Sequence, residues 1–488
     1  MKKQIIFGSI ATLVVVITAL TIVFSPPPVD SILTPYLIEP VVPYQKDAEI
    51  QEQVFPTNVP LNNSIISDKV ILADDTVISG GQIYTDRGIY APSLMRTDLS
   101  GGVVWTTFLN PLYEDGIEYS AYGTGVNQIH DLIYVHDDLV YAVGTIQASI
   151  LSEDGEDYPL KGVFADQQVP AGLDHLNFIV SFSIHFTNFR FHGFITPTDE
   201  AGTQMTVIAD ATLLDANTMV LTGVTNSHAG NFEGVSSKDP FDFVMKVNVE
   251  DNITLVDVFT FENDAYVQPT VVYALQDGDL IVLGNYQDRS GDFAHIPYVQ
   301  TVETAGFIAR IDGETFTLDW VSSNLMKPIT PIAVTMFVNA LELTNHHVVT
   351  VANVWLANET YEKKILVSHF DTKGTVVKQT LLNLEQKAEA IRLFKATEGY
   401  WVAGSVYEGN NGNLILCKLN TSFTVTSIKT ILGSNPDLYV TTPVVNDDLD
   451  LIFIAKTYSK DEDYEILMNA EADINSMFIK LDTNAIVL

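Results

Sequence analysis

Two short runs concentrate oxygen ligands in this chain: Ser152-Glu153-Asp154-Gly155-Glu156-Asp157 and Ser459-Lys460-Asp461-Glu462-Asp463. Carboxylates at that density suit Ca²⁺, a hard cation that takes several oxygens at once. Neither run has the Asp-x-Asp-x-Asp-Gly spacing and distal Glu of an EF-hand loop, so a solvated charge run is the competing reading. No cofactor is expected, and Ca²⁺ is the one ion these runs admit. Other chemistry finds little support. Tandem His346-His347 falls where other segments carry an acidic turn, and His130, His136, His185 and His192 belong to or flank strand-like stretches. There is no HExxH, no paired Cys/His spacing, no GxSxG and no Gly-rich phosphate loop, so zinc hydrolases, serine hydrolases and P-loop enzymes are unsupported. Cys417 is the only cysteine; it cannot form an intramolecular disulfide and reads as a small buried hydrophobe.

Charge narrows the partners. The chain carries 61 acidic against 25 basic residues, for a net charge of −36. Such a surface repels phosphate backbones and excludes nucleic acid as a partner. It suits cations, basic partners or solubility alone.

Along the chain, 488 residues that are 47% hydrophobic and 18% charged exclude disorder for most of the length. Lys2 and Lys3 precede an uncharged run from Gln4 to Phe24 and then Pro26-Pro27-Pro28. A run of about 20 apolar residues matches the bilayer core. The reading is a cytoplasmic stub over 1–4 and a transmembrane signal anchor over 5–24, contacting the membrane through this helix. A Pro-rich stalk over 25–63 and a repeat domain over 64–488 then lie on the extracellular side of the cell membrane. A cleavable signal peptide is the alternative. Part of the stalk, such as Ile50–Phe55 or Leu61–Ile66, could dock as a strand.

The elements that must position any site come as a repeat. One unit, 388–432, shows four short β-branched and aromatic segments: Ala390–Phe394, Tyr400–Tyr407, Asn413–Leu419 and Val425–Ile431. Turn residues such as Glu398-Gly399 and Asn420-Thr421-Ser422 separate them, the signature of an antiparallel meander. Two phrases recur. The first is a strand ending in a small residue, as at Gly80, Gly144, Gly223, Gly284, Ala352, Gly404 and Ala455; it suggests close backbone approach between neighbouring sheets. The second is a basic residue, an apolar one and Asp or Asn, as in Arg310-Ile311-Asp312, His369-Phe370-Asp371 and Lys418-Leu419-Asn420. The expected fold is all-β: a single β-propeller of seven four-stranded blades, with six or eight as the alternatives, beginning near Asp68, Ile129, Met205, Val271, Val334, Ala388 and Tyr439. A segment between Ile50 and Ile66 is expected to pair with the last blade.

Phrases such as Met95-Arg96-Thr97-Asp98-Leu99-Ser100-Gly101-Gly102-Val103-Val104-Trp105 resemble bacterial β-propeller repeats of the PQQ-like and SBBP type. The resemblance implies the fold rather than an activity. The same phrase is similar to the Asp-box turn of sialidases, but the arginine cluster such enzymes need has no counterpart here. The function expected is a membrane-anchored extracellular propeller that binds a protein or glycan without catalysis. The alternatives are a polysaccharide hydrolase or lyase with loop carboxylates, and a structural envelope component. In a meander ring, loops between second and third strands share a face with the links between blades. The binding residues expected on that face are Glu153, Asp154, Glu156 and Asp157, with Tyr119 and Tyr122 on a link.

Overall fold

The computed structural model describes the chain from Ser64 to Asp482 apart from stretches of its loops, the longest being 110–126 and 458–474, and two short upstream strands, Leu37–Ile38 and Gln53–Pro56. The fold is an all-β propeller with six four-stranded blades. Blade one comprises Ser64–Ile71, Val77–Tyr84, Tyr90–Thr97 and Val103–Phe108. Blade two comprises Gln128–His136, Leu139–Gln147, His175–Ser183 and Arg190–Ile195. The inner strands of blades three to six are Thr206–Leu213, Val267–Ala274, Ile332–Glu342 and Lys387–Lys395. Each blade is an antiparallel meander whose first strand faces the axis.

The seven four-stranded blades expected from the sequence are corrected to six. The last repeat supplies two long strands, Asp450–Thr457 and Asn475–Asp482, but among the described residues its inner position holds only the fragments Tyr439–Val440 and Val444–Val445. Pro443 lies between these fragments; lacking a backbone N–H, it cannot join a continuous ladder. The outer place of this terminal sheet is taken by Gln53–Pro56, which pairs antiparallel with Lys480–Met477. Leu37–Ile38 adds in parallel to the outer edge of blade five. No helix among the described residues is long and apolar enough to cross a membrane, and the expected membrane helix at 5–24 lies outside them.

Blades are buried because each face packs on a neighbour. Every residue of Leu280–Tyr286 is buried, and apolar clusters join blade one to two, two to three, three to four, four to five and five to six. A fully buried Val, Leu, Ile or Phe contributes about 1.5–3 kcal/mol, so these seams rather than the ladders hold the ring.

The small-residue phrase has a different cause from the one expected. A Cβ on Gly223 would lie 1.9 Å from the Val207 carbonyl oxygen, and one on Gly284 would lie 2.3 Å from that of Gln268. The close approach is to the inner strand of the same blade; only at Gly80 is the obstacle a neighbouring blade's side chain, Ile129. A third-strand phenylalanine presses from the other side, pairing Phe178 with Gly144, Phe243 with Gly223 and Phe307 with Gly284. In these same three blades the loop after the second strand makes a 3-10 turn of Gly-x-Phe sequence: Gly162–Phe164, Gly230–Phe232 and Gly291–Phe293. Each of these Gly residues has φ between 53° and 62°, a left-handed conformation that other side chains resist. Each Phe is fully buried, its ring 4.9–5.2 Å from the strand phenylalanine.

In blades one and four the basic residue of the second phrase reaches back to the acidic turn of its own blade, whereas Lys246 of blade three donates to the Gly313 carbonyl of blade four. Arg96 pairs with Asp74 at 2.5 Å, and Arg310 pairs with Asp277 at 2.6 Å and Asp279 at 2.5 Å. Trp105 and Trp320 act across seams, their indole N–H groups donating to the carbonyls of Ile184 and Thr372 on the next blade. The phrases are joints of the ring.

Candidate functional site: the axial channel

A cavity of about 670 Å³ runs down the axis, lined by the inner strands of all six blades. Every inner strand carries a β-bulge at the same level, just before Asp68, Asp131, Asp210, Val271, Asn339 and Arg392. A bulge re-aims the residue beside it, and all six of these residues line the cavity. Three consecutive blades therefore place a carboxyl group at equivalent positions, while blade six places the guanidinium of Arg392.

The three acids reach across blade seams. Asp68 Oδ2 accepts the Leu132 N–H at 2.9 Å, Asp131 Oδ2 accepts that of Ala211 at 3.0 Å and Asp210 Oδ2 that of Val272 at 2.8 Å. In blade five the amide oxygen of Asn339 does the same for Leu393 at 3.2 Å. Asp68 and Asp131 also share a side-chain hydrogen bond. Burial, then the Asp68 and Asp210 charges, hold Asp131 well above the usual carboxylate range. Burial pushes Asp210 up to about 7 against the backbone N–H groups it accepts.

Beside them His130 is held neutral. Its Nε2 lies 2.6 Å from Thr145 Oγ1, whose hydroxyl donates to Asn177 Oδ1 at 2.7 Å. With the threonine proton committed, Nε2 must be the donor and Nδ1 accepts from Gln128 Nε2 at 2.9 Å. The relay ends at the Thr206 carbonyl of blade three, reached by Asn177 Nδ2. Burial lowers His130 to about 4, in keeping with that arrangement. Chemically, the channel offers hydrogen-bonded acids, a neutral imidazole and one guanidinium to a solute small enough to enter.

A serine–histidine contact elsewhere has the distance of a nucleophile pair but not the access. Ser181 Oγ lies 2.7 Å from His192 Nε2, with both residues at least 96% buried and Tyr141 packed on the imidazole. No substrate reaches it. Burial also raises Cys417 to about 12, which leaves its thiol protonated and inert.

The residues expected to bind lie largely out of view. Glu153, Asp154, Glu156, Tyr119 and Tyr122 are outside the described residues, as is the run at 459–463. Asp157 lies in a two-residue strand, Asp157–Tyr158, paired with Ile150–Leu151. The shared face is visible where loops and links are described: Val163 donates to the Leu109 carbonyl, and Asp292 and Glu262 exchange two bonds of 2.8 Å. Among the described residues, no group of three or more His, Cys, Asp or Glu side chains could hold a metal.

Sequence reasoning missed Asp68, Asp131 and Asp210. The signal was present: each stands about a dozen residues upstream of its blade's Gly landmark.

No family model matches the chain, and no curated protein matches it. Solved structures resemble it at the level of the fold. They include Drosophila semaphorin 1a (9% identity over 89% of this chain and 88% of that one, TM-score 0.43). A Synechocystis apocarotenoid oxygenase also matches, with 10% identity over 90% and 94% and a TM-score of 0.41. A third is a prolyl endopeptidase, with 12% identity over 84% of this chain and 49% of that one and a TM-score of 0.39. The chain spans about half the length of the prolyl endopeptidases it matches. At such identities the likeness is to the β-propeller fold, with its repeated blades, and to nothing finer.

Proposed function

We propose that this propeller is an interaction module that binds a protein or glycan through the face carrying its long loops, and that its N-terminal apolar run holds it to the outside of a cell membrane. Its repeats are read as degenerate members of the PQQ-like and SBBP-type propellers. The observation that carries the binding reading is the construction of the loop face. Three successive loops are pinned into the core by Gly-x-Phe turns, and one is bonded to the adjacent blade link at Glu262, Asn263 and Asp264. Preorganised loops on a rigid ring lower the ordering entropy of association. The acids Glu153, Asp154, Glu156 and Asp157 favour a cationic group or Ca²⁺ there, and Tyr119 and Tyr122 offer rings to a sugar.

The test is a glycan array and a surface-protein capture with the full chain, followed by two variants: the four acids changed to Asn and Gln, and Tyr119→Ala with Tyr122→Ala. The expected outcome is weaker binding and a shallower salt dependence in the first, since exposed charges act over a Debye length of about 8–10 Å. A partner whose affinity survives both variants places binding elsewhere.

A second reading is a polysaccharide hydrolase or lyase, and the observation that favours it is the cavity lined by acids from three successive blades, Asp68, Asp131 and Asp210. Polysaccharide turnover that disappears in Asp210→Asn would support it; no turnover across an acidic and neutral polysaccharide panel would remove it.

A further inference from the structure

The three channel acids sit where a second and third negative charge meet a rising penalty. Asp131 lies in the middle, its side chain against those of Asp68 and Asp210 and its Oδ2 accepting the Ala211 N–H. Two carboxyl groups can hydrogen-bond to one another only when one of them carries a proton, because an ionised carboxylate is an acceptor alone. All three line one cavity, and the titratable or charged groups facing them from the other strands are few. Blade two presents His130, which is neutral, and Tyr134; blade four presents Tyr273; blade six presents Arg392 and Lys395.

We propose that a proton held on Asp131, between Asp68 and Asp210, is a working part of the ring, closing the seams of blades one to four, and that its loss as pH rises loosens them. Each acid is both a member of the proton-sharing cluster and the acceptor for the next blade's backbone, so repulsion within the cluster is transmitted to Leu132, Ala211 and Val272. The upward displacement of Asp131 and Asp210 supports this geometry.

The sign follows from linkage. A carboxyl whose folded value is raised keeps its proton while the unfolded chain has lost it, so stability declines as pH rises from the ordinary value of 3.8 towards about 7. The device therefore makes the ring firmest at and below the ordinary carboxylate value and progressively looser towards neutral pH.

The test uses the full chain and reads Tm against pH. Net charge alone also favours mild acid, so the diagnostic quantity is the difference between the wild type and Asp131→Asn. The amide keeps an oxygen for Ala211 and gains N–H donors for Asp68. It should melt a few degrees above the wild type near about pH 8, with the difference moving steadily in the wild type's favour as pH falls towards 3.8. Parallel profiles, or a variant that is less stable at both ends, overturn the proposal.

A second measurement needs no variant. Amide exchange at Leu132, Ala211 and Val272 should accelerate with pH more steeply than at Leu393, whose acceptor, Asn339, does not titrate. Equal slopes at all four overturn the proposal as well. Neither readout depends on a ligand or a turnover, so this inference and the proposed function fail separately.

Discussion

Phe293→Ala tests whether the loop face is held by the core or merely rests on it. The ring of Phe293 is fully buried, stacked on Tyr286 with centroids 4.6 Å apart and set edge-on to Phe307 at 5.2 Å. Phe261 closes a third side at 5.6 Å. Truncation removes the ring's transfer energy and leaves a cavity whose walls are strands of a rigid sheet. These cannot collapse into the space, so the loss belongs at the upper end of the about 3–5 kcal/mol typical of buried Phe→Ala changes. The loop is also anchored by the 3-10 turn and by the Glu262–Asp292 exchange, so it should fray rather than detach. Urea unfolding of the full chain measures the first effect, and amide exchange across 287–296 the second. Phe164→Ala and Phe232→Ala are internal replicates, since both rings occupy the same place in their blades. A loss under about 1 kcal/mol in all three, with unchanged loop protection, would refute the pinning argument.

Two further outcomes are expected. Arg310→Met strands Asp277 and Asp279 around a guanidinium that is only 13% exposed; urea unfolding should show a loss of about 1–3 kcal/mol. Arg190→Met, in an exposed pair with Asp251, should lose at most about 1 kcal/mol, and equal losses would contradict the burial argument. His369 is lowered by burial and then by neighbouring His347, so its contribution is complete above its ordinary value of 6.5 and is lost as pH falls below it. His369→Gln should therefore destabilise the protein less at about pH 5 than at about pH 7.5 in paired thermal melts, and a constant difference would refute the role given to His369.

Much of the ring was legible because its signals are local. Turn residues such as Glu398-Gly399 and Asn420-Thr421-Ser422 mark the ends of Tyr400–Glu408 and Asn411–Leu419 within two residues. The inner strands begin within a few residues of where Asp68, Ile129, Met205, Val271, Val334 and Ala388 had marked them, and Gln53–Pro56 does reach the last sheet. The blade count was not legible. The last repeat contains both recurring phrases, yet whether a fragment such as Val444–Val445 becomes a strand depends on what packs beside it. The channel was legible only as a spacing, an Asp about a dozen residues ahead of the Gly landmark in blades one to three, and that spacing does not say where the side chains meet. Asp68, Asp131 and Asp210 look like ordinary polar positions in alternating strands, and only ring closure brings residues 142 positions apart into one cavity. The acidic loop runs drew attention because charge density is visible in one dimension, whereas convergence is not.

Blade five shows how far the repeat can be read against itself. Blades one and four join the third strand to the first turn by an ion pair, Arg96 with Asp74 and Arg310 with Asp279. Blade five puts His369 and His347 at the corresponding places, with Nε2 and Nδ1 2.9 Å apart. The ring centroids are 5.0 Å apart, close to what the nitrogen separation requires if the two nitrogens point at one another. That is the geometry of an N–H···N bond rather than of two lone pairs converging on a metal. An ion pair survives mild acid; an imidazole pair does not, since a proton on the acceptor turns it into a second donor. The channel acids respond in the opposite sense, firmest at low pH and loosened as pH rises towards about 7. The same ring thus carries two kinds of joint with opposed proton dependence, one along the axis in blades one to three and one at the turn of blade five, where the His369 ring also touches Phe423 of blade six.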